Sequence, residues 1–186
     1  MTDDVQVHEA ARGVLDYWFG LTKEQHFAKD ADRDREIAAR FGPLRDDVLA
    51  TEAKGWRDTA DMMLAAIILL DQFSRNIHRG SAEAFAADDL AAALSVEGID
   101  RGYHRTLPPD RAVFLLMPLM HAEDGPLQDL SVARFEELGV DENTAYARDH
   151  RDVFHRFNRF PGRNEALGRE TTAEEQAWLD ETGGGW

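Results

Sequence analysis

Cysteine is absent from the 186 residues, and disulfide bonds, thiolate metal sites and cysteine nucleophiles are excluded with it. The absence agrees with a reducing compartment, so a cytoplasmic location is expected. Basic charge is scarce: 21 Lys and Arg against 36 Asp and Glu leave a formal charge of −15. Such a chain repels nucleic acid and anionic lipid at long range, which argues against a general nucleic-acid binder. Long hydrophobic runs are missing too. The longest, Met62 to Leu70, falls far short of the roughly 18–20 residues needed to span a bilayer. The opening Met1-Thr2-Asp3-Asp4 has no basic segment followed by a hydrophobic one, so neither export nor membrane insertion is expected. Alternating apolar and polar residues, the mark of a half-buried strand, do not occur between turn signals, and strand content should be near zero. HExxH, GxSxG and GxxxxGK[ST] are also lacking, which removes the usual mechanical parts of zinc proteases, serine hydrolases and P-loop enzymes.

What the sequence does contain is apolar residues at helical spacing, and at 43% hydrophobic content there are enough of them for the core of one domain over residues 1–186. Val14, Leu15, Trp18 and Phe19 form a stripe ended by Gly20. Ile37, Phe41 and Leu44 form another, with an interruption at Gly42-Pro43 that makes either two helices or one kinked helix. Thr59 can cap a helix over about 60–78, and Ser81 can cap the next, which carries Phe85, Leu90 and Leu94. Pro108-Pro109 suits a helix start, with a bend at Pro118 and an end near His121. Further helices are predicted around Leu130–Leu138, stopped by Gly139, and over about 142–157. Thr172 with Glu175 reads as a capping box for a short final helix. Periodicity fails over 158–171, an Arg-rich loop, and residues 181–186 form a Gly-rich tail that either frays or docks Trp186 into a groove. The fold class is all-α: a stack of antiparallel helical hairpins of about eight or nine helices.

Several polar groups fall on apolar faces. At about 100° per residue, Leu64, Ile67, Ile68 and Asp71 share one face; Tyr146, His150, Val153 and Phe157 share another; Phe114, Met117 and His121 share a third. Buried carboxylates and imidazoles need partners, and Arg75, Arg151, Arg159 and Arg163 are the candidates for Asp71 and Glu123. From Arg148 to Arg169, six arginines face three acids, a local basic island in an acidic chain. The planar fork of arginine suits carboxylate or phosphate, so Arg159, Arg163 and Arg169 are placed to hold an anionic ligand or merely to dock the loop on the acidic body. His121, Glu123, His150 and Asp71 include nitrogen and oxygen ligands that a metal would accept, but their spacing does not specify a metal site and none is assigned. His8, His26, His78 and His104 are expected on the solvent side.

Three stretches carry a resemblance. Leu70-Asp71-Gln72-Phe73-Ser74-Arg75-Asn76-Ile77-His78-Arg79-Gly80, then Pro118-Leu119-Met120-His121-Ala122-Glu123-Asp124, then His150-Arg151-Asp152 with Arg156-Phe157-Asn158-Arg159-Phe160-Pro161-Gly162-Arg163-Asn164 and Leu167-Gly168-Arg169-Glu170 resemble the signature of the bacterial domain-of-unknown-function family numbered 924. Val14 to Gly20 looks like that family's opening motif. Asn158 and Gly162 depart from it, standing where glycine and histidine are expected. The resemblance implies a tetratricopeptide-repeat-like helical superhelix and no established activity or cofactor. Its words fall on Asp71, Arg75, Asn76, Arg79, His121, Glu123, His150, Arg159, Arg163 and Asn164.

Three functional readings follow. The first is a binding module, in which Arg75, Asn76, Arg79, Arg159, Arg163 and Asn164 hold an anionic small molecule or acidic peptide end. The second is a hydrolase, with or without a metal, in which His121 or His150 acts as general base oriented by Asp71 or Glu123. In the third, the motifs only lock helices together.

Overall fold

The apolar stripes predicted along the chain become the inner faces of helices in the computed structural model, which describes residues 2–183 and, within them, only helical elements and turns. Helix α1 (Thr2–Phe19) buries Val14, Leu15 and Trp18, and the chain turns at Gly20 as expected. A five-residue helix, α2 (Lys23–Phe27), starts from a capping box between Thr22 and Gln25. Asp30 caps α3 (Ala31–Ala50), which runs unbroken through Gly42-Pro43. Of the two outcomes expected at Gly42-Pro43, the chain takes the single helix: Pro43 removes one backbone hydrogen bond, but Ile37, Phe41 and Val48 on the same helix are buried and hold it to the core.

Thr59 caps α4 (Ala60–Ile67), accepting from the Met62 amide at 3.2 Å. The long helix expected over 60–78 is continuous but not uniform. Ile68–Phe73 is a π-helical turn, and α-geometry resumes in α5 (Ser74–Ile77). All twelve residues from Met62 to Phe73 are buried, so this rod is the axis of the core. Ser81 does not cap a helix. Its hydroxyl donates back to the His78 carbonyl at 2.9 Å, a 3₁₀ turn follows at Ala82–Ala84, and α6 (Asp88–Asp100) begins later than predicted.

After α7 (Tyr103–Thr106), α8 (Pro109–His121) starts from Pro108-Pro109, contains Pro118 and ends at His121, as read from the sequence. Asp124 caps α9 (Gly125–Leu138), whose stop is Gly139 at φ 74°, a left-handed conformation that glycine adopts without a Cβ penalty. Helix α10 (Asp141–Phe157) matches the predicted span and ends on Asn158, also left-handed at φ 54°. The loop 158–171 contains a 3₁₀ turn, Pro161–Arg163. The Thr172–Glu175 capping box then opens α11 (Ala173–Thr182), and Gly183 closes it. Of the predicted tail, Gly184, Gly185 and Trp186 lie outside the described residues.

Helix α8 lies at the centre, packed against α4, α6, α9 and α10, while α3 covers the π turn and α5, and α1 covers α4. A smaller apolar cluster of Val153, Phe154 and Phe160, backed by Phe157 and Trp178, sits under the 158–171 segment. Two histidines expected on the solvent side are instead drawn inward. His104 is buried, and His26 is half-buried, stacked on Trp18 with ring centroids 4.4 Å apart and Nε2 donating to the Trp18 carbonyl at 2.8 Å. No helix among the described residues is long and apolar enough to cross a membrane.

Candidate functional site

Asp71 enters the interior from the π turn of the central rod. A π turn carries an extra residue and rotates the side chains that follow it, and such turns recur at functional sites. With 1% of its side chain exposed, the carboxylate is met from three directions. Nδ1 of His121, at the last residue of α8, lies 2.7 Å from Oδ1. Nη1 of Arg75, one helical turn on, lies 2.9 Å from the same oxygen. The Gln72 amide donates to Oδ2, and its nitrogen also lies 3.2 Å from the Met117 sulfur. Burial raises the Asp71 pKa, but the charge of Arg75 and the contact with His121 outweigh it, so the group stays ionised well below its usual range.

A second carboxylate, Asp88 in the first turn of α6, extends the pair into an alternating chain of charge from Asp71 through Arg75 to Arg163. Arg75 grips it with two nitrogens at 2.9 and 3.1 Å, and Arg163 reaches it from the loop at 3.0 Å. Arg163 also donates to the His121 backbone carbonyl at 2.8 Å, and its guanidinium lies between the rings of Phe85 and Phe160, 4.7 Å from each centroid. Burial pushes Arg163 down to about 10, helped by the like charge of Arg75, so it remains a cation at neutral pH. Sequence reasoning missed Asp88 as a member of this site; the signal for it was its place in the first turn of a helix, which also suits a plain capping role.

The two histidines lie side by side, with ring centroids 5.9 Å apart. Nδ1 of His150 donates to the Tyr146 carbonyl at 2.7 Å, and burial, with the neighbouring His121, pushes its pKa down to about 3. His121 is also lowered: burial and Arg75 disfavour its charged form more than Asp71 favours it. Both rings are therefore neutral at pH 7. Because Asp71 is an ionised acceptor, the ring proton of His121 sits on Nδ1 and the lone pair on Nε2. His121 keeps 14% of its side chain exposed, and no hydrogen bond to Nε2 is found among the described residues.

The remaining predicted site residues are placed elsewhere. Glu123 turns away from the histidines and accepts from Arg169 through both oxygens, at 2.8 and 2.7 Å, and from the Phe160 amide at 2.8 Å. Arg159 pairs with Glu175 at 2.6 and 2.7 Å, and Asn164 reaches the same carboxylate and Thr171, both at 3.3 Å. Asn76 and Arg79 both bind Asp34 of α3 at 2.8 Å. Arg151, named as a candidate partner for Asp71 or Glu123, pairs with its neighbour Asp152. Every arginine proposed for anion binding is thus closed on a carboxylate of the chain. His121, Glu123, His150 and Asp71 do not assemble as one ligand set, and no group of three or more His, Asp or Glu side chains is placed to hold a metal ion among the described residues. Two surface hollows, of about 450 and 330 Å³, are lined by Pro161, Glu165 and Leu179 and by Ala92, Val96 and Leu127 respectively; neither includes Asp71, His121 or His150.

Comparison with known proteins agrees with the architecture and leaves the chemistry open. The model of a family described as bacterial protein of unknown function (DUF924) matches residues 14–183. A solved structure of a protein of unknown function from Agrobacterium tumefaciens is similar, with a TM-score of 0.89 and 37% sequence identity, covering 94% of this chain and 98% of that one. No curated protein matches.

Proposed function

The chain belongs to DUF924, a bacterial family of unknown function, and for this member we propose a general-base site: neutral His121, oriented by Asp71, takes a proton from a hydroxyl group or water molecule held beside it. The observation that carries this reading is the 2.7 Å contact between His121 Nδ1 and Asp71 Oδ1. A carboxylate on Nδ1 fixes the tautomer and the ring plane, and it stabilises the imidazolium that forms when Nε2 accepts the proton. The lowered pKa of His121 keeps the lone pair available at neutral pH. Hydrolysis of an ester or amide is the reaction class this pair serves most directly, with the proton of the attacking water passing to Nε2 and on to the leaving group.

An anionic small molecule or acidic peptide end has weaker support. Asp71 and Asp88 balance Arg75 and Arg163, both histidines are neutral, and an anion would have to displace one of the chain's own carboxylates. A neutral ligand meets no such competition. The closed arginine–carboxylate pairs do favour a second reading, in which the cluster only locks α6, α8 and the 158–171 segment together. A panel of p-nitrophenyl esters and amides separates the two. Hydrolysis by the wild type that is lost in His121→Ala and falls with protonation of His121 supports the general base. Hydrolysis at the same rate in wild type and variant, or none by either, leaves the cluster a structural lock.

A further inference from the structure

We infer that the surface hollow between α6 and the start of α9 is a site for a small organic cation, a primary amine that carries one ring or a short alkyl chain. It stands apart from the general-base site, since none of Asp71, His121 and His150 lines it, and either reading can fail without the other. Its volume of about 330 Å³ falls at the small end of ligand pockets, which run from roughly 300 to 1,000 Å³, and so suits a molecule of that size.

The hollow follows from helical spacing. Asp89, Ala92, Ala93 and Val96 recur along α6 at intervals that bring them onto one face. Leu127 in the first turn of α9 and Ala122 just after α8 close the other side. The alanines are too small to fill the space between Val96 and Leu127, and the lining they leave is apolar. Charge at the hollow has one sign. Asp89, Glu123 and Asp124 line it, and no Lys, Arg or His among the described residues does. Glu123 is taken by Arg169 through both oxygens. Asp124 accepts from the Leu127 amide through one oxygen at 3.0 Å and keeps the other. Asp89 is exposed and makes no hydrogen bond or ion pair among the described residues. Two acidic groups therefore border an apolar lining with no cation of the chain to neutralise them. They do not assemble into a group that could hold a metal ion. The complementary occupant is a cation with its own apolar body, its ammonium between Asp89 and Asp124 and its ring or chain against Ala92, Val96 and Leu127.

The test titrates the full chain with 2-phenylethylamine at constant pH and low salt, reading affinity and location from amide chemical shifts. The matched probes are 3-phenylpropionate, with a similar body and the opposite charge, 2-phenylethanol, which is neutral, and ethylamine, which has the head without the ring. We expect the amine to shift amides in 89–96 and 122–127 and to bind at least about tenfold more tightly than 3-phenylpropionate. Ethylamine should bind at least about tenfold more weakly than the phenyl amine. Asp89→Asn and Asp124→Asn, the second keeping a good helix cap, should each weaken the amine about threefold and leave 2-phenylethanol unmoved. Ala93→Leu, at an exposed helical position, should fill the hollow and weaken the amine at least about tenfold without lowering the melting temperature. No shift at these amides overturns the site. Amine binding that survives Ala93→Leu overturns it as well, placing the amine elsewhere on the acidic surface. Equal binding of 3-phenylpropionate or 2-phenylethanol, or indifference to both asparagine variants, overturns the cation as occupant.

Discussion

Fifty residues separate Asp71 from His121 in sequence, yet Oδ1 of one and Nδ1 of the other lie 2.7 Å apart where the π turn of the central rod meets the end of α8. The contact joins a carboxylate with almost no access to water and an imidazole that retains some, so the two differ in role. In the proposed general-base site, Asp71 orients the ring and His121 meets what enters.

Replacing Asp71 by asparagine keeps the shape and removes the charge. Arg75 then keeps only Asp88 as its charged partner, and His121 loses its anionic acceptor. We expect a stability loss of about 3 kcal/mol in urea unfolding at pH 7. The sign with pH follows from the depressed pKa of Asp71: its contribution is fully present above the ordinary aspartate range and fades as pH falls through the folded-state value. The deficit of Asp71→Asn should therefore shrink on strong acidification. A deficit that stays constant down to the pH where both proteins unfold contradicts the buried pair.

His150 sets a second pH window. Its folded pKa is depressed to about 3 from an ordinary 6.5, so the unfolded chain binds a proton that the folded chain refuses between those values. Stability present above pH 6.5 is lost as pH falls, at up to about 1.4 kcal/mol per unit, or about 2 kcal/mol on going from pH 7 to 5. His121 acts in the same direction. Unfolding free energies of wild type and His150→Phe at the two pH values check this, with the slope flattened in the variant. Equal slopes would mean that His150 is charged, or free to become so, in the folded protein.

Arg163 ties the 158–171 segment to α6 and α8 through Asp88, the His121 carbonyl and two aromatic faces. Lysine has the charge but neither the fork nor the planar stacking surface. Arg163→Lys should cost about 2 kcal/mol and open the segment to limited proteolysis, whereas Arg148→Lys on the exposed face of α10 should do neither. Equal protection of the two variants would remove Arg163 as the tie.

Asn158 closes α10 at φ 54°, a left-handed conformation that glycine adopts without a Cβ penalty. Asn158→Gly should leave stability unchanged or raise it by up to about 1 kcal/mol, and Asn158→Val should lower it by more, measured as shifts in melting temperature. A valine variant as stable as wild type would contradict the left-handed cap.

The helical class, the caps at Thr59 and Thr172, and the ends of α8 and α10 were legible because each rests on local chemistry. Asp71, His121 and His150 were legible as one interior site for a related reason: each interrupts an apolar face at helical period, which only burial explains. Other features depend on what comes into contact across the fold. At Gly42-Pro43 the sequence leaves either two helices or one, and the buried face of α3 explains why the helix is continuous. The π turn has no sequence mark distinct from an apolar helix. Charge alone leaves the basic island either a ligand site or a loop docked on the acidic body, and the folded chain, which brings Glu175 to Arg159, Glu123 to Arg169 and Asp88 to Arg163, agrees with the docking. His104 lies in the four-residue helix α7, too short for periodicity to reveal its buried face.

The most direct test of the general-base site is the tautomer and titration of His121, read by long-range proton–nitrogen NMR correlation on uniformly labelled protein from pH 5 to 8, with His121→Gln to assign the signal. We expect a neutral ring at pH 7, protonated at Nδ1 and bare at Nε2, with a pKa below the ordinary value of about 6.5. In Asp71→Asn the tautomer preference should weaken. A His121 that is an imidazolium at pH 7, or that carries its proton on Nε2 with Nδ1 bare, would contradict the account.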